Sequence, residues 1–207
     1  ALSLYKHLIT DEVWPLSRHQ VGYKNVGYQP GICSLSGKPY VDIRMSFNTF
    51  IPEDLDEELT EKLIDFYILK LRRFQDYHDK VEFNVVYTCY RFNFDETKKE
   101  LEENGFFEDE IEQLKNSLFE LTDNILSERI TTINRELKLT YKLNYLREKI
   151  KKSKCPVSVK ISKLSHDCKT YGTLPFSKLA RFAFIGSTLM KDLTHKKIIT
   201  QEEYDKF

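Results

Sequence analysis

The hydrophobic periodicity of the C-terminal half constrains the fold of this chain more than any other feature. Between Phe107 and Lys152, apolar residues recur every three or four positions, which predicts one very long helix or two helices joined near Ser127. Cys155-Pro156 ends this pattern, because proline removes a backbone donor and clashes with the preceding helical turn. The same spacing predicts further helices from Val157 to Cys168 and from Phe176 to His195.

The N-terminal half carries two stretches that favour strands. Apolar and polar side chains alternate from Tyr40 to Asn48, which predicts a strand with one buried face. The stretch from Val81 to Phe92 is β-branched and aromatic throughout, which is typical of a central strand. Between them, Pro52-Glu53-Asp54 predicts the start of an amphipathic helix, because proline and acidic residues suit the first turn.

Shorter signals indicate turns and helix ends. Residues 15–40 hold four of the seven glycines and three of the six prolines, so we expect turns between short extended pieces. A helix over residues 95–103 is predicted to end at Asn104-Gly105, where glycine fits the left-handed position. The stretch from Tyr171 to Pro175 predicts a turn, and Thr200-Gln201-Glu202-Glu203 predicts a capped helix start.

The sequence predicts an α+β fold, because the strands come early, the helices come late and no βαβ unit repeats. We expect a small antiparallel sheet in the N-terminal half, packed with a larger set of helices in the C-terminal half. The length of 207 residues suits a single domain over residues 1–207, with an α/β part at 1–94 and a helical part at 95–207. Because the chain begins abruptly and without Met, we expect it to be a piece of a longer protein.

The distribution of charge is uneven although the total is zero. Residues 1–126 hold 14 basic and 24 acidic side chains, whereas residues 127–207 hold 18 basic and 8 acidic ones. The neutral total argues against a general binder of nucleic acids. The separation predicts complementary pairing between the two halves, or between this chain and neighbouring domains.

Several classes of protein and site are not indicated by the sequence. It has neither a signal peptide nor an apolar run of about 20 residues, so we expect a cytoplasmic protein with no membrane partner. The four cysteines form no closely spaced pair, which predicts free thiols and no zinc site. Phosphate-binding glycine loops and the common hydrolase motifs are also missing, so we predict no catalytic, cofactor-binding or metal-binding residue in this chain.

The polar face of the first predicted strand is the best candidate for a site. Arg44, Ser46 and Asn48 lie two residues apart and share this face. Arg44 offers a guanidinium fork to a ligand, and Ser46 and Asn48 offer directional hydrogen bonds. Tyr40 would add an apolar wall, and Glu82 on the second predicted strand is placed to bind an amino group. The alternative interpretation is that this face is simply the solvated side of an antiparallel sheet.

Two other stretches have both a structural and a functional interpretation. The basic run from Arg147 to Lys154 is either a solvated helix end, which the helix dipole favours, or a site for polyanions. The apolar run from Phe182 to Ile185 is either a buried helix or the place where a partner domain docks.

The sequence resembles the central region of phosphoenolpyruvate-synthase-like (dikinase-type) phosphotransferases over nearly its whole length. The motifs that carry the resemblance are Ser3-Leu4-Tyr5, Leu8 to Trp14, Gly22-Tyr23-Lys24-Asn25-Val26, Tyr40 to Pro52, His78-Asp79-Lys80-Val81-Glu82-Phe83, Thr88-Cys89, Leu174-Pro175-Phe176 and Leu179 to Ile185. Such enzymes combine an ATP-grasp nucleotide domain, a central substrate domain and a swivelling domain with a phosphorylated histidine. The resemblance is nearest to the branch of L-glutamine kinases that begin capsule phosphoramidate synthesis.

The resemblance implies that this chain is the substrate-binding domain and that ATP and Mg are used by the full-length enzyme. The carrier histidine of the family lies in a segment of the type T-x-G-G-x-x-S-H. The nearest sequence here, Ser165-His166, lacks the glycines, so we expect this chain alone to be inactive. Its expected partners are the ATP-grasp and phosphohistidine domains and a small-molecule acceptor, with no nucleic acid.

In this hypothesis Arg44 binds the carboxylate of the acceptor or the incoming phosphoryl group. Ser46 and Asn48 orient the acceptor amide, and Glu82 binds an α-amino group. One alternative is a non-catalytic spacer that docks the neighbouring domains. Another is an antibiotic-binding domain like that of rifampin phosphotransferases, which would need a larger apolar cavity than these polar residues suggest.

Overall fold

The computed structural model describes residues 2–129 and 131–206, and 68% of the chain is helical. The helices are α1 (Leu2–Tyr5), α2 (Val13–His19), α3 (Ile43–Asn48), α4 (Glu57–Arg73), α5 (Val81–Asn84), α6 (Phe94–Glu103), α7 (Glu108–Leu126), α8 (Ile133–Lys152), α9 (Val157–Cys168), α10 (Leu174–His195) and α11 (Gln201–Asp205). Lys6–Thr10 and Lys169–Thr173 are π-helical turns, Gln75–Tyr77 is a 3-10 turn, and the strands are β1 (Ile32–Leu35) and β2 (Lys38–Val41).

Strands β1 and β2 form an antiparallel hairpin in the N-terminal half. Its register runs from Ile32 opposite Val41 to Leu35 opposite Lys38. The connecting Ser36 and Gly37 have φ angles of 51° and 78°, as a two-residue hairpin turn requires. This small sheet beside a mainly helical remainder confirms the predicted α+β class.

The strand predicted from Tyr40 to Asn48 is wrong beyond Val41. Asp42 accepts a hydrogen bond from the backbone N–H of Met45 at 2.9 Å and thereby caps helix α3. The alternating pattern was ambiguous because apolar residues four positions apart also share one face of a helix. The buried face of α3 therefore carries Phe47 into the core.

The central strand predicted from Val81 to Phe92 is also wrong. Its beginning forms α5, and within the described residues the rest crosses the core without a partner strand. Side chains satisfy several of its backbone groups instead. Thr122 Oγ1 accepts from the N–H of Tyr90 at 2.8 Å, and Tyr23 Oη donates to the carbonyl of Thr88 at 2.6 Å. The apolar composition correctly indicated burial, but burial does not require a strand.

The predicted helices are largely confirmed. The long periodic region is divided into α7 and α8, which is one of the two predicted arrangements, and Cys155-Pro156 separates α8 from α9. Helix α4 begins later than predicted, at Glu57, because Asp56 caps it by accepting from the N–H of Leu59 at 2.8 Å. Gly105, with φ of 83°, follows α6, and Thr200 caps the start of α11, both as predicted.

The turn predicted from Tyr171 to Pro175 is a helical connection. The π-helical turn Lys169–Thr173 continues directly into α10. Pro175 lies in the first turn of α10, where its fixed φ suits the helix.

Two hydrophobic clusters form the core. The larger one joins α3, α4, α6 and α7 around side chains such as Leu63 and Leu114. The second places Ile185 of α10 against Tyr23, Cys89 and Leu121, so that α10 packs on elements of the N-terminal half. No helix in the described part of the chain has both the length and the apolarity needed to cross a membrane.

Candidate functional site

A cavity of about 870 Å³ is lined by residues of α2 and α10 together with β2, α3 and α5, and we call it the α2–α10 cavity. Trp14 of α2, Tyr40 of β2, Phe83 of α5 and Phe176 of α10 are among its lining residues. The walls are mainly aromatic and aliphatic, as is usual for sites that bind small organic molecules.

Three charged side chains lie together in the lining of this cavity, and we call them the Arg–Glu–Arg cluster. Arg18 Nη2 contacts Glu82 Oε1 at 3.2 Å, and Arg181 Nη2 contacts Glu82 Oε2 at 3.1 Å. Glu82 is placed by α5, Arg18 by the last turn of α2 and Arg181 by the middle of α10. One carboxylate therefore bridges two cations that come from opposite ends of the sequence.

Aromatic rings and a hydroxyl hold the two guanidinium groups in place. The Arg18 guanidinium lies 3.7 Å from the ring centre of Phe50, and that of Arg181 lies 5.5 Å from the same ring and 5.4 Å from Phe184. Arg18 Nη1 also donates to Thr49 Oγ1. Such stacking restricts the rotation of both side chains.

Burial weakens the ionisation of Arg18 without removing it. Desolvation lowers the pKa of Arg18 to about 10, with the attraction of Glu82 opposing the shift and the nearby Arg181 cation adding to it. Because this pKa is well above 7, Arg18 carries its charge at neutral pH. Two cations and one carboxylate give the cluster one net positive charge.

Arg181 is the least satisfied member of the cluster. Its side chain is 5% exposed, and its Nε and Nη1 atoms are buried with no hydrogen-bond partner among the described residues. An unpaired buried donor costs about 1–3 kcal/mol, and more when the group is charged. The cluster therefore has one more positive than negative charge and, in the part of the chain that the structure describes, two donor atoms without an acceptor.

The structure brings together three of the five residues that the sequence predicted for a site. Tyr40, Ser46 and Glu82 all line the α2–α10 cavity. Arg44 is not in its lining, because its side chain is 58% exposed and contacts Asp65 at 2.6 Å. Asn48 donates to the carbonyl of Arg44 at 3.0 Å and is also outside the lining.

The secondary structure explains this separation. A strand would place Arg44, Ser46 and Asn48 on one face, whereas helix α3 turns each residue by about 100° relative to the last. Positions 44 and 48 consequently share one side of α3, while Ser46 lies towards the cavity.

Sequence reasoning missed Arg18 and Arg181. A signal for Arg181 was available, since it is a lone cation in the apolar stretch Ala180-Arg181-Phe182-Ala183-Phe184. A charged residue at such a position is rarely fully buried unless it is paired. Arg18 carried no comparable signal, because it follows the polar Ser17 at the end of a short helix.

Both π-helical turns contribute to one side of the cavity. Ile9 and Thr173 line it, and Thr173 Oγ1 donates to the carbonyl of Leu8 at 2.7 Å. Lys169 contacts Glu12 at 2.5 Å and fastens the second turn to the N-terminal region. Turns of this type occur often at functional sites.

The two other candidate stretches have structural partners. The basic run from Arg147 forms the exposed end of α8, and Glu148 contacts Lys151 there at 3.0 Å. In the apolar run of α10, Ile185 is buried and Phe184 packs edge-on against Phe83 at 5.1 Å. Within residues 2–129 and 131–206, no group of three or more His, Cys, Asp or Glu is arranged to hold a metal ion.

The chain was compared with known protein families, with curated proteins and with solved structures. No match was found in any of the three comparisons.

Proposed function

We propose that this chain is the acceptor-binding domain of an ATP-dependent, phosphohistidine-mediated phosphotransferase, and that the α2–α10 cavity holds the acceptor. The observation that carries the proposal is the cavity itself, with about 870 Å³ of space, mainly apolar walls and a charged cluster in its lining. This combination suits a small organic molecule better than it suits a surface that only docks other domains. The phosphotransferase context rests on the resemblance of the sequence to that family.

The residues of this chain would bind and orient the acceptor and keep water away from it. ATP, Mg and the phosphohistidine would come from other domains of the full-length enzyme. The cavity is partly open, and His78, Asp79 and Lys80 lie in its lining as exposed titratable groups. Lys80 would offset part of the charge of a phosphoryl group that comes close to it, and Asp79 would act in the opposite direction.

L-glutamine is the acceptor that the resemblance favours. Its side-chain amide is a weak nucleophile, so positioning would provide most of the rate acceleration. Tyr40, Ser46 and Glu82 remain predicted acceptor contacts, since each lines the cavity.

A larger, apolar acceptor of the antibiotic type is the second candidate. The cavity volume favours it, because about 870 Å³ is near the upper end of the range for drug-sized ligands and exceeds the need of one amino acid. This is the larger apolar cavity that the sequence did not suggest.

Calorimetric titration of the chain with L-glutamine tests the proposal. We expect saturable binding that is weakened about tenfold or more by Ala180→Phe, because Ala180 lines the cavity and the added ring occupies it. Ala183→Phe is the matched control, since Ala183 lies on the exposed side of the same helix.

The outcomes separate the candidates. Binding of a bulky apolar compound, but not of L-glutamine, with the same sensitivity to Ala180→Phe would support the antibiotic-type acceptor. Equal effects of the Ala180 and Ala183 variants would contradict binding in the cavity. No binding of either compound at millimolar concentration would favour the spacer that docks neighbouring domains.

A further inference from the structure

We propose that the Arg–Glu–Arg cluster is a subsite for one carboxylate group of the ligand, with Arg181 as its principal donor. This inference rests on the proposed function, because it specifies the chemistry of a ligand that occupies the α2–α10 cavity. It adds two residues, Arg18 and Arg181, to the site, and it restricts the ligand to organic acids.

The unused donors of Arg181 are the first argument. Nη2 is engaged by Glu82, whereas Nε and Nη1 are buried and have no partner in the described part of the chain. Nε and Nη1 lie on different edges of the guanidinium, so each can donate to one ligand oxygen, and the charge of the group strengthens a hydrogen bond to a carboxylate. A ligand carboxylate that reaches one of these atoms after a small shift of the side chain would remove the cost of an unpaired buried donor.

The charge balance of the cluster is the second argument. Arg18 and Arg181 share the single carboxylate of Glu82, which leaves one positive charge in a largely buried place. The other charged lining residues, Asp79 and Lys80, are exposed and opposite in sign, so they do not compensate it. A ligand with one negative charge would neutralise the cluster.

The same balance favours a carboxylate over a phosphoryl group. A phosphate monoester carries a charge of about −1.5 to −2 at pH 7, and it would leave an excess negative charge in the cluster. Uncompensated charge in a buried place is costly. A carboxylate, with a charge of −1, leaves none.

The rigidity of the cluster is the third argument. Phe50 lies beside both guanidinium groups, at 3.7 Å from Arg18 and 5.5 Å from Arg181. Thr49, which is fully buried, accepts from Arg18. The two guanidinium groups are thus held near their places before a ligand arrives, which reduces the entropy lost on binding.

Three probes of nearly equal size test the subsite. Binding of 3-phenylpropionate, 3-phenylpropionamide and phenyl phosphate to the chain is measured by calorimetry at pH 7. We expect the carboxylate to bind about tenfold or more tightly than the neutral amide, because it gains charged hydrogen bonds that the amide lacks. We also expect it to bind more tightly than phenyl phosphate.

Variants assign the preference to the cluster. Arg181→Gln should reduce the carboxylate-to-amide preference to within about threefold, while Arg147→Gln on exposed α8 should leave it unchanged. Glu82→Gln raises the net charge of the cluster by one, so it should shift the preference towards phenyl phosphate. An unfolded protein would lose binding of all three probes, so a gain in relative affinity for phenyl phosphate in Glu82→Gln cannot come from unfolding.

The possible failures are distinct. Equal binding of the carboxylate and the amide would overturn the subsite and leave the proposed function intact. A loss of preference in Arg44→Gln, but not in Arg181→Gln, would assign the carboxylate to the residue predicted from sequence and would also overturn the subsite. Absence of binding by all three probes, by L-glutamine and by the bulky apolar compound would contradict the proposed function itself.

Discussion

At the scale of single residues, α10 carries charged groups that face inward. Asp192 and Arg181 are both buried, and each is paired with a residue of the N-terminal half. The pairs differ in completeness, because Arg91 donates to both oxygens of Asp192, whereas Arg181 has two nitrogens without partners. We therefore assign a structural role to the first pair and a ligand-binding role to the second.

The structural role of the Arg91–Asp192 pair predicts a large loss of stability when one partner is removed. Arg91→Met leaves the fully buried Asp192 without its cation and should lower the free energy of unfolding by about 2 kcal/mol or more. Arg129→Met removes an exposed pair with Asp123 and should cost at most about 1 kcal/mol. Urea unfolding followed by circular dichroism measures both. Equal costs would contradict the structural role.

Cysteine reactivity provides a second prediction at this scale. Desolvation by burial raises the pKa of Cys89 to about 11, although the nearby Arg181 and Arg91 cations oppose the shift. At pH 8 this group is therefore a protonated, inaccessible thiol, whereas Cys33 is exposed. We expect iodoacetamide to modify Cys33 first and Cys89 only after unfolding, as read by peptide mass spectrometry. Rapid modification of native Cys89 would contradict its placement.

At the scale of elements, the helical conformation of α3 places Ser46 in the cavity lining and Arg44 and Asn48 outside it. The sequence predicted that residues of this region form a site, but it placed them on a strand. The helix begins because one local interaction, the Asp42 cap, outweighs an alternating pattern that suits both structures. Such a cap involves only a few residues, so a prediction based on a longer hydrophobic pattern does not detect it.

The cap of α3 gives a direct test of helix against strand. Asp42→Ala should lower the free energy of unfolding by about 1 kcal/mol, because it removes the acceptor for the Met45 N–H. Asp42→Asn keeps an acceptor and should cost only a few tenths of that amount. Urea unfolding compares the two variants. Indistinguishable variants would be the result expected of a strand.

The other elements show what the sequence was able to predict and why. Long, strongly periodic segments such as α7, α8 and α10 were predicted well, because their helical period repeats over many turns. The segment after α5 was predicted poorly, because its backbone is satisfied by side chains such as Thr122 that lie far away in sequence. The cavity could not be predicted for the same reason, since its walls come from both ends of the chain.

At the scale of the whole molecule, only a few charges of the acidic half pair with charges of the basic half in the described part of the chain. Within residues 2–129 and 131–206, three ion pairs join an acidic residue of 1–126 to a basic residue of 127–207: Glu12–Lys169, Glu82–Arg181 and Asp123–Arg129. Most of the opposite charges in the two halves are not paired with each other. The predicted pairing with neighbouring domains therefore stays a prediction, and it agrees with the proposed place of this chain in a larger enzyme.

The central claim concerns the whole molecule, because the walls of the cavity come from α2 and α10 together with β2, α3 and α5. Trp14 is the sole tryptophan of the chain, and it lines the cavity, so its fluorescence reports on occupancy at that place. Titration with 3-phenylpropionate should produce a saturable change in Trp14 emission in the wild-type chain and in Ala183→Phe, and a much weaker response in Ala180→Phe and Arg181→Gln. Saturable binding by calorimetry with no change at Trp14, or an unaltered response in both cavity variants, would contradict the account.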